Sequence, residues 1–458
     1  MVLGRTAGPM AGDGCRYASP MTGDREHTAG SLHPPVSWPH IRPGIPALCG
    51  LAALAVFLVG IGGPSLWIDE GHTWQYAHEP LGTMLSTVIG STNAVEAAYY
   101  AVLHFWIDVA GDSELALRLP SALAMAIAVW AASKTAGDGA GPSTAAIVGF
   151  VLIALPGVTR YAQEARPYAF AVAAVAVSTF MLFRALTRNE RRWWVGYASA
   201  LVVVGYFHLL SLLVVPGQLM AVLLIDRGRL RSFAAAAGAA FMAVLPVAVL
   251  GYAQRGQIGW IPLAQLDYLW TQASVLTGSL AVTGGLAVVV VCGRGNRRLM
   301  ALGLPTALAA PVLLWAFGLF TPLYLARYLL GAAPGVAILM AAALAGVGRG
   351  RVLLLGAILL ALVWPQQVAV RGPAAHNQDY RAAAALVATD CTARIAYDGM
   401  SKDAMLYYLQ GQTCAPSETA AGGHLWVVQA EGSHLTESGY TLVGTTTFGQ
   451  AIVTYWTK

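Results

Sequence analysis

Long apolar runs alternate with short connections along this chain, and every second connection carries arginines. These are "RNERRWW" (188–194), "DRGRLR" (226–231), "GRGNRR" (293–298) and "GRGR" (348–351). A helix needs roughly 20 apolar residues to cross the bilayer core, and about eleven runs qualify. They are centred near residues 55, 126, 151, 177, 201, 218, 242, 282, 308, 337 and 360. With 57% hydrophobic and only 11% charged residues, against about a quarter charged in a soluble domain, the chain reads as an all-α polytopic membrane protein. Arginines gathered on one side mark that side as cytoplasmic. The connection at 134–142 is the weak member, holding only Lys134 and Asp138.

The N-terminus then lies inside. The connections at 64–117, 159–167, near 208–211, 253–272 and 319–327 face outward, with everything after 370. Residues 1–46 read as a disordered cytoplasmic tail, because the Gly-, Pro-, His- and Ser-rich stretch before the first run lacks an apolar core. Residues 47–369 form the membrane domain, with 64–117 as its first outer loop. Residues 370–458 change character. "YRAAAALVAT" and "DAMLYYLQG" have helical patterns, while "ARIAYDG", "HLWVVQA" and "TLVGTTTFGQAIVTYW" read as strands. This predicts a small extracytoplasmic α/β domain, in which Cys391 and Cys414 form a disulfide on the oxidising side. The net charge of +5 sits in the short connections and gives no sign of nucleic acid as a partner.

This orientation brings unusual ionisable residues to one surface. Asp69, Glu70 and His72 lie in "SLWIDEGHTWQYAHEP" (65–80), and Glu164 and Arg166 in "RYAQEARPYAF" (160–170), with Tyr161 and Tyr168 beside them. His208 lies in "GYFHLLS" (205–211) and Arg327 in "LYLARYLL" (323–330). Carboxylates and arginines at a membrane boundary are costly unless paired or solvated, so their clustering points to a functional cavity. Each also has a plainer reading. The acidic pair could be a solvated loop, the arginines could snorkel, and His208 could belong to an interfacial aromatic belt. Trp67 and Trp74 suit seats at the interface. Arg118, four residues after Glu114, reads as half of a structural helix ion pair.

Glycosyl transfer from a lipid-linked sugar fits such a cavity. A carboxylate takes the proton of an attacking hydroxyl, and an arginine fork matches the oxygens of a leaving phosphate. Direct displacement inverts the anomeric centre.

Four pieces also resemble the C-type superfamily of membrane glycosyltransferases, in the branch of protein O-mannosyltransferases and lipid A aminoarabinose transferases. They are "LWIDEGHTW", "YYAVLHFWIDVAGDSELALRLPSAL", "VTRYAQEARPYAFAVAAVAV" and "PLYLARYLLGAAPGVAIL", and the likeness covers most of residues 50–345. The resemblance implies Asp69 as catalytic base with Glu70 as acidic companion. It places Glu164 and Arg166 on the cavity wall, Arg327 near the lipid phosphate and His208 at the outer end of a helix. Tyr161, Tyr168 and His72 join the substrate-binding set. The implied partners are a polyprenyl-phosphate sugar, most simply mannose, and a glycolipid, glycan or protein acceptor, met within the bilayer of the cytoplasmic membrane. Arabinose or aminoarabinose is the alternative sugar. A lipid-linked sugar flippase or a non-catalytic scaffold is the alternative of another class. No cofactor is firmly implied, and a divalent metal finds no strong ligand cluster. One departure stands out. Where relatives often carry a Pro-Pro pair, "VEAAYY" places Glu96 and Ala97.

The alternation of arginines makes a direct prediction. Reporter fusions after residues 190, 228, 296 and 349 read cytoplasmic and those near 163, 260 and 400 external. A cytoplasmic signal at residue 400 overturns the arrangement.

Overall fold

The computed structural model describes residues 44–458 apart from Arg294, Ala421, His434, Thr436 and Glu437. The tail expected over 1–46 lies almost wholly outside the described residues, and Gly44 already opens a helix, Gly44–Leu58. Among the described residues, six helices are long and apolar enough to cross a membrane: Glu114–Ala140, Tyr168–Arg188, Arg227–Ala253, Arg297–Gly318, Ala326–Leu344 and Arg349–Ala369. The number rises to eight if each of two bent helix pairs is a single span. All eleven expected centres fall inside helices, but among the described residues the count of eleven spans is not confirmed. Gly44–Leu58 has 15 residues and Arg191–Phe207 has 17. Helix ends cut the apolar runs short, as at His208, which leaves the helical conformation.

The two bends have local causes. Pro142–Ala154 and Pro156–Ala162 meet at 72°, where Pro156 cannot continue the preceding helix and instead opens the next. Tyr268–Thr277 and Leu280–Cys292 meet at 97°, across Gly278 at φ 97°, a conformation that glycine adopts freely.

Helix Glu114–Ala140 is the spine. Its Ala122, Ala128, Ala131, Ala132 and Ala136 are all buried, and small residues let neighbouring backbones come close. Helices Gly44–Leu58, Pro142–Ala154 and Tyr168–Arg188 pack around it. At one end, Arg184 bonds Asp138 at 2.9 Å and the Asn296 side chain bonds the Gly139 carbonyl at 3.3 Å. Asn296 N also donates to the Ala342 carbonyl at 3.0 Å. The connections after Ala140, after Arg188, before Arg297 and after Leu344 therefore meet at one end of the bundle, and Arg118 marks the other.

At the Arg118 end the segment 64–117 is largely helical: Ile68–His78, Leu81–Gly90, a 3-10 turn Ala94–Glu96, and Ala97–Ala110. The C-terminal segment forms a four-stranded sheet from β1 (Arg394–Tyr397), β2 (His424–Ala430), β3 (Thr441–Phe448) and β4 (Ala451–Thr457). Its order is β1-β2-β4-β3, parallel between β1 and β2 and antiparallel elsewhere. The last expected strand is thus a hairpin, folded back at Gly449, whose φ is 64°. Helices Tyr380–Val387 and Lys402–Leu409 cover the sheet around a core of Ile395, Trp426, Val428 and Val453. Cys391 and Cys414 are joined by a disulfide, with Cα atoms 4.9 Å apart.

This segment grips the start of the first loop. Ser65 N bonds the Pro373 carbonyl at 2.9 Å, and Leu66 N bonds the Tyr408 hydroxyl at 2.7 Å. Arg381 donates to the carbonyls of Gly62 and Gly63 and to Glu114. Helices Ile68–His78 and Lys402–Leu409 touch at Gly71, where an added Cβ would sit 2.5 Å from Ala404 N. Gly71→Ala therefore overpacks this contact and destabilises the protein by about 1–3 kcal/mol, seen as a lower melting temperature in detergent. An unchanged melting temperature shows that the helices do not depend on this approach.

Candidate active site

Glu70 and Arg118 form the foundation of the site, and both are fully buried. Arg118 Nε bonds Glu70 Oε1 at 2.8 Å and Nη2 bonds Oε2 at 2.6 Å, a two-pronged pairing of planar groups. The remaining guanidinium donors reach the carbonyls of Ile61, Pro64 and Ser65. Glu70 Oε1 also accepts from Ala165 N at 2.7 Å, and His376 Nδ1 lies 3.3 Å from Oε2. Burial alone would raise the Glu70 pKa, but the Arg118 charge and hydrogen bonds hold it well below the usual carboxylate range. Burial pushes His376 down to about 4, so it stands neutral. One carboxylate thus joins the first-loop helix, the spine helix and the turn 163–167.

Asp69 is the next residue and faces another way, with its side chain 26% exposed. Its Oδ2 accepts from Arg327 Nη1 at 3.1 Å, and Arg166 Nη2 lies 3.8 Å away. Arg166 Nη1 reaches the Asp69 carbonyl at 3.4 Å and Thr73 Oγ1 at 3.3 Å. Its Nη2 is bonded to Glu96 Oε1, and the other Glu96 oxygen accepts from the Tyr100 hydroxyl at 2.5 Å. The turn that carries Glu96 starts at Asn93, which is left-handed at φ 63°. Gln257 and Gln254 accept from the backbone of Asn93 and Ala94 there. Four groups from four chain segments therefore converge, two carboxylates (Asp69, Glu96) and two guanidiniums (Arg166, Arg327).

Glu164 is fully buried, and neither carboxylate oxygen is hydrogen-bonded among the described residues. Among the described residues its one ion contact is Arg160 Nε at 3.7 Å. Burial raises its pKa to about 7; Arg160 counteracts this in part, while Glu70 and Asp69 add to it. Beside it runs an aromatic file. Tyr161 and Tyr168 are 5.5 Å apart by ring centroid, Tyr168 and His208 5.6 Å, and His208 and Tyr328 5.1 Å. The Arg166 guanidinium lies over the Tyr168 ring. Among the described residues, no group of three His, Cys, Asp or Glu side chains converges to hold a metal.

Residues 97–252 match the family described as dolichyl-phosphate-mannose-protein mannosyltransferase. In three dimensions the chain is similar to ArnT from Cupriavidus metallidurans bound to undecaprenyl phosphate. The TM-score is 0.63 at 14% identity, over 90% of this chain and 98% of the other. The chain has the fold of the C-type membrane glycosyltransferases. The apo state of the same ArnT aligns with TM-score 0.63 and 14% identity, over 89% and 97% of the two chains. Arabinosyltransferase EmbB from Mycobacterium smegmatis aligns with TM-score 0.44 and 15% identity, over 76% of this chain and 32% of that one. No curated protein matches the sequence.

Within this glycosyltransferase fold, Asp69, Arg166, Arg327, Glu164, Tyr161, Tyr168 and His208 lie in one neighbourhood. Several expectations need correction. Glu70, expected as the acidic companion of Asp69 in catalysis, has its oxygens taken by Arg118 and Ala165. Arg118 does not pair with Glu114; Glu114 instead binds Arg381 and the Tyr408 hydroxyl. Helical spacing permits the i,i+4 contact, but a buried carboxylate on another element outcompetes it. His72 points away from the cluster, its Nε2 lying 3.5 Å from Asp403. Trp74 is buried and donates to Asp112 at 3.0 Å, so it packs the loop rather than seating it in lipid. Trp67 lies under Arg327, whose guanidinium carbon is 5.7 Å from its ring. Arg166 is engaged by Glu96, the residue that the sequence marked only as a departure from relatives.

Removing either member of a buried ion pair leaves an uncompensated charge and costs about 3–5 kcal/mol. Glu70→Gln and Arg118→Met therefore lower the melting temperature sharply, whereas Asp69→Asn, at a half-open position, changes it little. Equal melting of Glu70→Gln and wild type removes the foundation role of the pair.

Proposed function

We propose that this chain is an inverting glycosyltransferase that moves a monosaccharide from a polyprenyl-phosphate donor to an acceptor hydroxyl. The observation that carries the reading is the contact between Asp69 and Arg327. A half-open carboxylate and a phosphate-competent arginine meet at 3.1 Å, at the end of an apolar helix bundle. The fold shared with ArnT, which was captured with undecaprenyl phosphate, supports the donor class. The match of 97–252 to a mannosyltransferase family favours mannose, with arabinose or aminoarabinose as the alternative sugar.

In the resting site Arg327 and Asp69 hold each other. Donor phosphate takes Arg327, and the Asp69 carboxylate is released toward the acceptor. The acceptor oxygen attacks C1 as its proton passes to Asp69. The bond from C1 to the phosphate oxygen breaks with its electron pair on that oxygen, where Arg327 meets the developing charge. Arg166, tied to Glu96, fixes the Asp69 backbone. The site end of the bundle faces outward in this reading, with residues 370–458 a small domain on the outer side of the cytoplasmic membrane and the acceptor an envelope glycolipid, glycan or secreted protein.

The test is transfer from a panel of radiolabelled polyprenyl-phosphate sugars by purified protein in membranes. One sugar of the panel is transferred, with inversion at C1. Asp69→Asn lowers the rate by about 10²–10⁴-fold. Arg327→Lys, which keeps the charge but loses the planar fork, weakens donor use by roughly tenfold or more. Wild-type protein that transfers no sugar overturns the reading, and full activity in Asp69→Asn removes the base from this residue.

A further inference from the structure

Trp260 sits in the connection between helix Leu230–Ala253 and helix Tyr268–Thr277. Its side chain is 64% exposed, while Ile261 next to it is 2% exposed and Ala264 7%. Ala264 N donates to the Gly318 carbonyl at 2.8 Å. An added Cβ on Gly318 would lie 3.0 Å from Ala264 Cβ and 2.9 Å from Tyr324 Cβ, so the connection is pressed onto the bundle just after Trp260. A large indole is thus held out by a fixed backbone. It stands 5.7 Å, ring centroid to guanidinium carbon, from Arg327, the residue bonded to Asp69. Trp67 stands at the same distance from that guanidinium.

We propose that Trp260 is the platform for the glycosyl ring of the donor, and a determinant of which sugar the site accepts. The inference rests on the glycosyltransferase reading above. A sugar esterified to a phosphate on Arg327 lies one bond beyond that phosphate, within reach of an indole at this distance. The face of a sugar ring that carries its C–H bonds is apolar and slightly positive, and complements the negative face of an aromatic ring. A tryptophan serving only as an interfacial anchor has no reason to stand beside Arg327, which bonds the exposed acid. The polyprenyl tail is the competing occupant of the ring, and it is separable by experiment, since bare polyprenyl phosphate has the tail and the phosphate without the sugar.

Binding of undecaprenyl phosphate and of the undecaprenyl-phosphate monosaccharide used in transfer is measured on the full chain in lipid nanodiscs, for wild type, Trp260→Tyr and Trp260→Leu. An aromatic contact of this kind is worth about three- to tenfold in affinity. Trp260→Leu loses that factor for the glycosylated lipid and not for the bare phosphate, and Trp260→Tyr recovers most of it. Equal loss for both lipids assigns the ring to the tail or phosphate and overturns the proposal. No loss for either lipid overturns it also. Wild-type protein that binds bare undecaprenyl phosphate but gains nothing from any sugar overturns the platform alone. Wild-type protein that binds neither lipid and transfers no sugar overturns the glycosyltransferase reading as well.

Discussion

The buried pair between Glu70 and Arg118 is the interaction on which the site depends. It carries two opposite charges on fully buried side chains, and it is tolerable because nearly every donor and acceptor is matched: five hydrogen bonds from Arg118, and Ala165 N on Glu70. Such a pair contributes little net stability over apolar packing, but breaking it is expensive. Its effect is therefore geometric. It fixes the first-loop helix against the spine helix in one register, so that Asp69, one residue earlier and about 100° round the helix, faces the arginines. The same carboxylate holds the turn that delivers Arg166. A displacement of the pair would move acid and base partners together.

Around Asp69 the charges are balanced in number, two carboxylates against two guanidiniums. Arg166 gives its shortest contact to Glu96, which leaves Arg327 with a single protein hydrogen bond among the described residues and two aromatic neighbours. In the proposed reaction the leaving phosphate gains one negative charge as Asp69 takes one proton. The total charge of the cluster is then unchanged between start and finish. A poorly solvated site favours this, because uncompensated charge there is costly.

Much of the fold was legible, because membrane helices announce themselves through long apolar runs and their arginine-marked ends. Each of the eleven expected centres lies in a helix, and the sheet strands fall where the alternation suggested. What was not legible was helix length, since a run of apolar residues says nothing of where a proline, glycine or histidine will bend the backbone. In the site, the half-exposed acid and the arginines could be found from type and place. The partners could not. Arg118 has two candidate carboxylates, Glu114 four residues away and Glu70 forty-eight residues away in sequence, and only the folded packing makes the distant one nearer. Glu96 carried a signal, a charge in place of the usual Pro-Pro pair, but its meaning required Arg166 beside it.

The grip of the C-terminal segment on residues 62–68 bears on the order in which the molecule is made. Tyr408 meets Leu66 across 342 positions of sequence, and Arg381 reaches back to Gly63 across 318. Chains emerge and fold from the N-terminus, so the loop that bears Asp69 is synthesised among the first elements and seated among the last. Through most of its biogenesis the chain holds an acidic loop with no closing partner, and every membrane helix is in place before the site is complete. In the proposed enzyme the site is thereby complete only after the C-terminal segment has folded onto residues 62–68.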